Sequence, residues 1–240
     1  PVRNWYVHDA AYLISEGEGL AMPRREPLAA GGTSVFPVRL HFEEDRFLFS
    51  MTQMPEDFYF WAGVVSQTND LLAPRFPLDL TGFAGGDLKL KIRLMGWSST
   101  TNAPDHLAEI SFNGAVAGSI AFDDQETAEA ELTIPAAAVA NGINTVMVNG
   151  VMKPGQSHSF FVVDWIEAAF DRELTPLAPV ASFRADGAAA VSAQAFAEPL
   201  ALALDEAGNP TWVADASGEL PAKAWAVSAG DARFAVVESS

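Results

Sequence analysis

Hydrophobic and polar residues alternate along much of the chain, and this pattern predicts β-strands. The clearest case is Leu88–Leu94, where four aliphatic side chains fall on one face and three cations on the other. A period of two is typical of a strand with one buried face. Runs of this kind, separated by turn residues, predict eight strands: Val35–Phe42, Arg75–Leu80, Leu88–Met95, Leu107–Phe112, Ala115–Phe122, Ala128–Ile134, Asn144–Asn149 and Ser159–Ala168. Short strands at this spacing indicate an antiparallel, jelly-roll-like β-sandwich.

Two Asn-Gly pairs mark turns within this pattern. Asn113-Gly114 separates two predicted strands, and this dipeptide readily adopts the positive φ angles of a tight hairpin turn. Asn141-Gly142 ends the Ala-rich segment Pro135–Ala140, which is the best candidate for a short helical turn. Helical patterns are otherwise scarce, so the sequence predicts an all-β fold.

The composition changes after Arg172 and divides the chain into three predicted parts. Residues 1–32 are predicted to be an N-terminal arm and linker that packs on the sandwich, and residues 33–172 to form the sandwich. Residues 173–240, rich in Ala, Gly and Asp, are predicted to be a small β module or the start of the next domain. Five short apolar runs indicate its strands: Phe183–Ala185, Ala189–Ala193, Leu200–Leu204, Pro210–Val213 and Phe234–Val237.

Composition and charge narrow the classes of function. With 240 residues and 49% hydrophobic content, the chain can bury a core and is no disordered polymer. Its 31 acidic and 14 basic residues give a net charge of −17, which repels polyphosphates and anionic lipid surfaces. No apolar run approaches the length that spans a bilayer. We therefore expect no nucleic-acid partner and no membrane insertion.

The chain contains no cysteine. Thiol catalysis, disulfide bonds and thiolate metal sites are thus excluded for these residues. The lack of cysteine does not determine the cellular compartment, because a secreted protein with a sufficient core can do without disulfides. The sequence begins at Pro1 with neither an initiator Met nor a signal-peptide pattern. We expect it to be part of a longer protein.

Acidic runs are the only candidates for metal ligands. Glu43-Glu44-Asp45 and Asp123-Asp124 could supply carboxylate oxygens to Ca²⁺. Consecutive carboxylates in a strand point to opposite faces, however, so neither run is a cage by itself. A solvated acidic loop is the better interpretation. We predict no cofactor and retain Glu43 and Asp45 as weak candidates for a structural Ca²⁺ site.

The histidines do not form a catalytic pattern. Asp105-His106 resembles half of a catalytic pair, but no nucleophile in a strained turn accompanies it, and His106 is predicted to cap or pack a loop. His8, His41 and His158 are scattered without metal-ligand spacing. We predict that this chain is not an enzyme. A hydrolase built on paired carboxylates is a third hypothesis, which only a cleft could support.

Aromatic residues are the best candidates for binding. Trp97 follows a predicted strand in a polar loop, where its flat ring could stack on a sugar or fill a partner's pocket. Asn102 and Asp105 are its candidate polar partners. Phe58–Trp61 and Trp165 are predicted to be core, and a buried Trp97 is an equally good interpretation.

A series of spaced apolar and turn residues resembles the non-catalytic β region that precedes the peptidase domain in gingipain-like cysteine peptidases, which belong to the caspase-like clan. The resemblance covers almost the whole chain and lies in Tyr12-Leu13, Gly19, Met22–Arg25, Glu43–Phe47, Phe58–Trp61, Leu88–Leu94, Asp105-His106, Asn113-Gly114, Gly142–Asn144, Val163–Glu167, Ala185–Gly187 and Arg233–Val236. These are spaced positions rather than a unique signature.

Family members carry their catalytic His and Cys in a separate α/β domain, so no catalytic residue carries over to this chain. The resemblance implies an accessory or pro-region of a secreted or cell-surface peptidase. Its partner would be the catalytic domain of the parent protein or another cell-surface protein. The same hairpin layout is similar to galactose-binding-like jelly rolls of carbohydrate-binding modules. In that alternative, the loop around Trp97 would meet a glycan.

Overall fold

The computed structural model describes residues 32–48, 59–67, 70–100, 103–176, 181–184, 188, 190–197, 199–214, 223–228 and 231–238. These residues form eighteen β-strands and one 3₁₀ turn, Ala136–Ala138. The fold is all-β, an antiparallel jelly-roll-like sandwich followed by a smaller β module, as predicted. The predicted N-terminal arm lies outside the described residues except for Gly32.

Twelve strands belong to the sandwich region: β1 (Val35–Phe42), β2 (Phe47–Leu48), β3 (Tyr59–Phe60), β4 (Ala62–Gln67), β5 (Asp70–Leu72), β6 (Arg75–Asp79), β7 (Leu88–Gly96), β8 (His106–Phe112), β9 (Ala115–Phe122), β10 (Thr127–Ile134), β11 (Ile143–Gly150) and β12 (His158–Glu173). All eight predicted strands are present. β12 is longer than predicted, and the sequence pattern did not predict β2, β3, β4 or β5.

Two sheets make the sandwich, and β12 is the central strand of the larger one. The larger sheet has the order β10-β7-β12-β4-β5, and β1 also pairs with β12. β4 pairs with residues 158–163 of β12, and β1 pairs with residues 166–173 on the same edge. β7 lies along the opposite edge. The smaller sheet has the order β6-β11-β8-β9.

Strand β7 shows why the sheets pack face to face. Leu88, Leu90, Ile92 and Leu94 are at most 1% exposed, and all four belong to the core between the sheets. Burying one such side chain contributes about 1.5–3 kcal/mol. The cations between them point to the opposite side, which we call the outer face of the larger sheet. The predicted alternation of β7 is therefore confirmed.

The Asn113-Gly114 turn has the predicted geometry, since φ is 49° at Asn113 and 86° at Gly114. The Asn113 side chain also holds the turn in place. Asn113 Nδ2 donates to Asn144 Oδ1 at 2.8 Å, and the Thr145 N–H donates to Asn113 Oδ1 at 2.8 Å. The hairpin is thereby attached to β11 by side-chain as well as backbone hydrogen bonds.

Six strands form the C-terminal part: β13 (Ala181–Phe183), β14 (Ala190–Ser192), β15 (Pro199–Leu204), β16 (Pro210–Ala214), β17 (Ala224–Ala226) and β18 (Arg233–Glu238). They make a four-stranded sheet of order β13-β18-β15-β16 and a two-stranded sheet of β14 and β17. β17 was not predicted from the sequence.

The C-terminal strands have a hydrophobic core of their own, and the sandwich contributes to it. Phe36 of β1 and Leu174, which follows β12, belong to this second core together with Trp225. The Phe36 ring stacks on Phe183 with centroids 4.3 Å apart. β12 runs across the predicted boundary at residue 172 and ends at Glu173. The division at that residue stays a prediction.

Candidate binding surfaces

Trp97 directly follows β7, and its indole lies at the surface. The side chain is 44% exposed. Its backbone is held in place, since the Trp97 N–H donates to the Phe160 carbonyl at 2.9 Å and its carbonyl accepts from Gln125 Nε2 at 3.4 Å. These hydrogen bonds hold the backbone beside an exposed ring.

Asp105, predicted as a polar partner of Trp97, is 2% exposed and serves the loop itself. Its Oδ1 accepts from the N–H of Thr100 at 2.9 Å and from the Thr100 hydroxyl at 2.5 Å, and its Oδ2 accepts from the Asp124 N–H at 3.1 Å. Burial by itself raises the pKa of Asp105. The hydrogen bonds from Thr100 and Asp124 outweigh burial, and the net shift is downward. The carboxylate thus stays ionised as a loop-closing acceptor.

Asn102, the third predicted binding residue, lies outside the described residues. The joint role of Trp97, Asn102 and Asp105 in binding stays a prediction.

His106 is fully buried at the start of β8 and connects the two sheets. Its Nε2–H donates to the Asp124 carbonyl at 3.0 Å, and its Nδ1 accepts from the Ser159 hydroxyl on β12 at 2.9 Å. Phe122 and Phe161 pack against the ring. Burial lowers the pKa of His106 below its ordinary value. This neutral, fully bonded imidazole fits the packing role predicted for it.

Glu43, a weak calcium candidate, lies beside His41, with 3.0 Å between its Oε2 and His41 Nε2. Asp45 is exposed two residues further on. Within the described ranges, no three His, Cys, Asp or Glu side chains are grouped so that they could hold a metal ion. The Ca²⁺ site at Glu43 and Asp45 stays a prediction.

The outer face of the larger sheet carries a second candidate surface, which the sequence did not reveal as a whole. Strand pairing aligns β1, β12, β7 and β10 in rows across this face. One row is Arg39, Ala169, Lys89 and Thr133, and the next is His41, Glu167, Lys91 and Glu131. Four of the chain's fourteen Lys and Arg residues lie on this face: Arg39, Lys89, Lys91 and Arg93. In so acidic a chain, this concentration of cations is a distinct feature.

Ion pairs connect most of these charges. Arg39 Nη1 lies 3.1 Å from Glu167 Oε2, and Lys91 Nζ lies 2.6 Å from Glu129 and 3.5 Å from Glu131. The hydrogen bond to Glu129 raises the pKa of Lys91. Exposed pairs of this kind contribute about 0–1 kcal/mol each, so they add little to the free energy of folding.

A depression of about 450 Å³ opens on the outer face over Ala169. Ala169 lies between Arg39 and Lys89 in its row, and its methyl group is much shorter than either neighbour. We call this feature the Ala169 depression. Six polar side chains line it: Arg39, Lys89, Lys91, Glu131, Thr133 and Glu167. It holds hydrogen-bond donors and acceptors side by side.

Trp165 lies at the border of this surface. The prediction that Trp165 is a core residue is therefore wrong. The ring is only partly buried, 5.5 Å from the His41 ring and 6.0 Å from Lys91 Nζ. The pairing of β12 with β7 shifts between Val163 and Ile166, so the inward and outward positions change at Trp165. By contrast, Phe60 and Trp61 are 2% and 5% exposed, as predicted for core residues.

The described residues thus define an all-β sandwich that carries two candidate binding surfaces. No helix in this part of the chain has the length and hydropathy needed to cross a lipid bilayer. No protein-family model matches the chain, and no curated protein sequence matches it.

Among solved structures, the dimeric latent PorU from Porphyromonas gingivalis has a similar fold. The similarity covers 90% of this chain at a TM-score of 0.60 and 12% sequence identity. It covers 22% of the PorU chain, so this chain spans less than a quarter of that protein's length. At this identity, the likeness shows a shared fold.

Two carbohydrate-binding structures are more distant. The CBM36-1 domain of a multidomain xylanase from the hindgut metagenome of Trinervitermes trinervoides matches 55% of this chain and 96% of its own at 10% identity and a TM-score of 0.36. A carbohydrate-binding module CBM36 in complex with calcium and xylotriose matches 54% and 98%, at 15% identity and a TM-score of 0.34. At these TM-scores, neither bears on the function of this chain.

Proposed function

We propose that this chain is a non-catalytic accessory or pro-region of a secreted or cell-surface gingipain-like cysteine peptidase, and that it acts by protein contact. The observation that carries the proposal is the fold shared with PorU over 90% of this chain. Since the match takes up 22% of PorU, a much larger part of the parent protein would remain for other domains. The absence of cysteine is consistent with a catalytic thiol on another domain.

Exposed apolar side chains support a contact role. Leu71 and Leu72 on β5 are 63% and 51% exposed, and β5 is an edge strand of the larger sheet. An edge strand offers unpaired backbone groups as well as side chains to a partner. We propose that this edge docks on the catalytic domain and thereby assists its folding, masks its cleft or places it at the surface.

The decisive experiment starts from the parent gene. We expect the reading frame to encode an α/β domain with a His and Cys pair. When the two parts are produced separately, they should co-elute in size-exclusion chromatography. Leu71→Asp combined with Leu72→Asp should weaken the complex. Val116→Asp on the remote edge strand β9 is the matched control, since Val116 is 64% exposed. A gene without such a domain, or two parts that never associate, would refute the proposal.

The exposed indole of Trp97 favours a second candidate function, a carbohydrate-binding module of a secreted enzyme. Stacking of a sugar on an accessible aromatic ring is the usual basis of such binding. A glycan array should then give signals that Trp97→Ala removes while thermal unfolding is unchanged. If the array is blank, or the signals survive the substitution, Trp97 is not a sugar-binding residue.

A further inference from the structure

The Ala169 depression has the dimensions of a site for one small ring. Neighbouring strands lie about 4.8 Å apart, so side chains two strands apart rise roughly 10 Å from each other. Arg39 on β1 and Lys89 on β7 therefore stand as walls on either side of Ala169 on β12. A flat floor between two polar walls accommodates a planar or chair-shaped ring.

Of the three cations that line the depression, Arg39 and Lys91 form ion pairs in the part of the chain that the structure describes, and Lys89 does not. Arg39 forms an ion pair with Glu167, and Lys91 forms ion pairs with Glu129 and Glu131. Lys89 donates to the neutral Thr133 hydroxyl at 2.9 Å, and none of the ion pairs among the described residues includes it. One ammonium group in the depression is therefore available for an anionic oxygen.

The hydrogen-bond donors and acceptors that line the depression indicate the chemistry of a ligand. Ammonium and guanidinium groups donate hydrogen bonds, whereas Glu131, Glu167 and the Thr133 hydroxyl accept them. Hydroxyl groups on a ligand can satisfy both kinds, because each donates and accepts. A polyanion would be repelled by Glu131 and Glu167, and by the net charge of −17. A sugar with several hydroxyls and a single carboxylate satisfies all of these groups.

We propose that the Ala169 depression binds a uronic acid residue of a glycan, with Lys89 facing the sugar carboxylate. Trp165 lies at the border of the same face, where the next sugar of the chain can pack on its ring. This inference goes beyond the accessory role and is independent of it. It also assigns the glycan to a different face from the Trp97 loop.

The test is isothermal titration of the chain with the methyl glycosides of galacturonate and glucuronate, which carry one carboxylate each, and with their methyl esters. The ester keeps the ring and hydroxyls and removes only the charge. We expect the free acid of at least one sugar to bind, and its ester to bind about ten-fold more weakly or not at all. Binding should also weaken as salt is raised.

Variants locate the site. Lys89→Gln should weaken binding of the free acid about ten-fold, down to the level of the ester. Ala169→Leu should abolish binding by filling the floor. Lys153→Gln removes a cation from a loop outside this face and should bind like the unmodified chain. Circular dichroism and thermal unfolding of each variant establish that the fold is kept.

Three results would overturn the proposal. The first is no binding of either free acid up to about 5 mM, the weak limit of a specific site. The second is equal binding of acid and ester, or competition by polyglutamate as strong as that of the uronates. The third is binding that survives both Lys89→Gln and Ala169→Leu. Because no catalytic domain is present in these titrations, each result leaves the accessory role to its own test.

Discussion

At the scale of single residues, Gly96 has the tightest surroundings of the glycines that the structure describes. A Cβ atom at this position would lie 1.8 Å from the Asp124 carbonyl oxygen and 2.8 Å from His106 Nε2. The first contact is with backbone and cannot be relieved by a side-chain rotation. It would also push the Asp124 carbonyl away from the imidazole N–H that it accepts from. Glycine is therefore required where the end of β7 passes the start of β8.

We predict that Gly96→Ala lowers the free energy of unfolding by about 2–4 kcal/mol, because it combines overpacking with a disturbed buried hydrogen bond. Urea denaturation followed by tryptophan fluorescence measures the change. Gly63→Ala is the control, since a Cβ there meets no atom within 4 Å. Equal stability of the two variants would show that the packing at Gly96 is looser than described.

His106 makes a pH-dependent contribution to stability. Its pKa in the folded protein is lowered, so the unfolded chain takes up a proton at a higher pH than the folded chain does. Stability therefore falls as the pH drops below the ordinary histidine pKa of about 6.5. NMR of the imidazole nitrogens should show neutral His106 with the proton on Nε2 at pH 6, where a free histidine is mostly protonated. A charged ring at that pH would contradict the hydrogen-bond assignment.

At the scale of elements, the Asn144 side chain on β11 joins two turns. Its side chain is 1% exposed. Its Oδ1 accepts from the Ala140 N–H and from Asn113, and its Nδ2 donates to the carbonyls of Ala140 and Gly142, all at 2.8–2.9 Å. One amide therefore joins the β8–β9 hairpin to the segment that enters β11.

Asn144→Ala should destabilise the protein by about 2–4 kcal/mol, since several buried groups lose their partner at once. Asn209→Ala, at an exposed turn where the Asn209 side chain donates to Asp205, should change stability by less than about 1 kcal/mol. Differential scanning calorimetry compares the two. A loss as small as that of the control would mean that water replaces the amide without cost.

Strand prediction succeeded where alternation and turn chemistry agreed. β1 and β9 have the predicted bounds, since β1 alternates up to the acidic run at Glu43 and β9 lies between the Asn113-Gly114 turn and Asp123-Asp124. β4 was missed because Gly63 and the buried Ser66 interrupt its apolar pattern. The cations of the outer face were visible in the sequence as the polar half of Leu88–Leu94. Their partner Glu167 was not, because only the register of β12, with its irregularity at Trp165, brings it beside them.

At the scale of the whole molecule, Phe36 joins the two hydrophobic cores. Its own strand belongs to the sandwich sheet, yet its ring is 2% exposed within the second core and stacks on Phe183. The C-terminal module is thus attached by packing as well as by the chain.

We predict that Phe36→Ala destabilises the protein by about 3–5 kcal/mol and loosens the module more than the sandwich. Hydrogen exchange should show lost protection in β13, β15 and β18 while β7 and β8 keep theirs. Phe76→Ala is the control, because Phe76 packs on Trp61 in the sandwich core alone. A similar exchange profile for both variants would contradict separate cores.

The length of β12 determines how the protein responds to mechanical load. Residues 161–163 and 166–169 are hydrogen-bonded along both edges, so pulling on this strand in the sheet plane must shear two rows of bonds together. The module has only short strands, three to six residues each. Under tension, the module would yield first and the sandwich would hold.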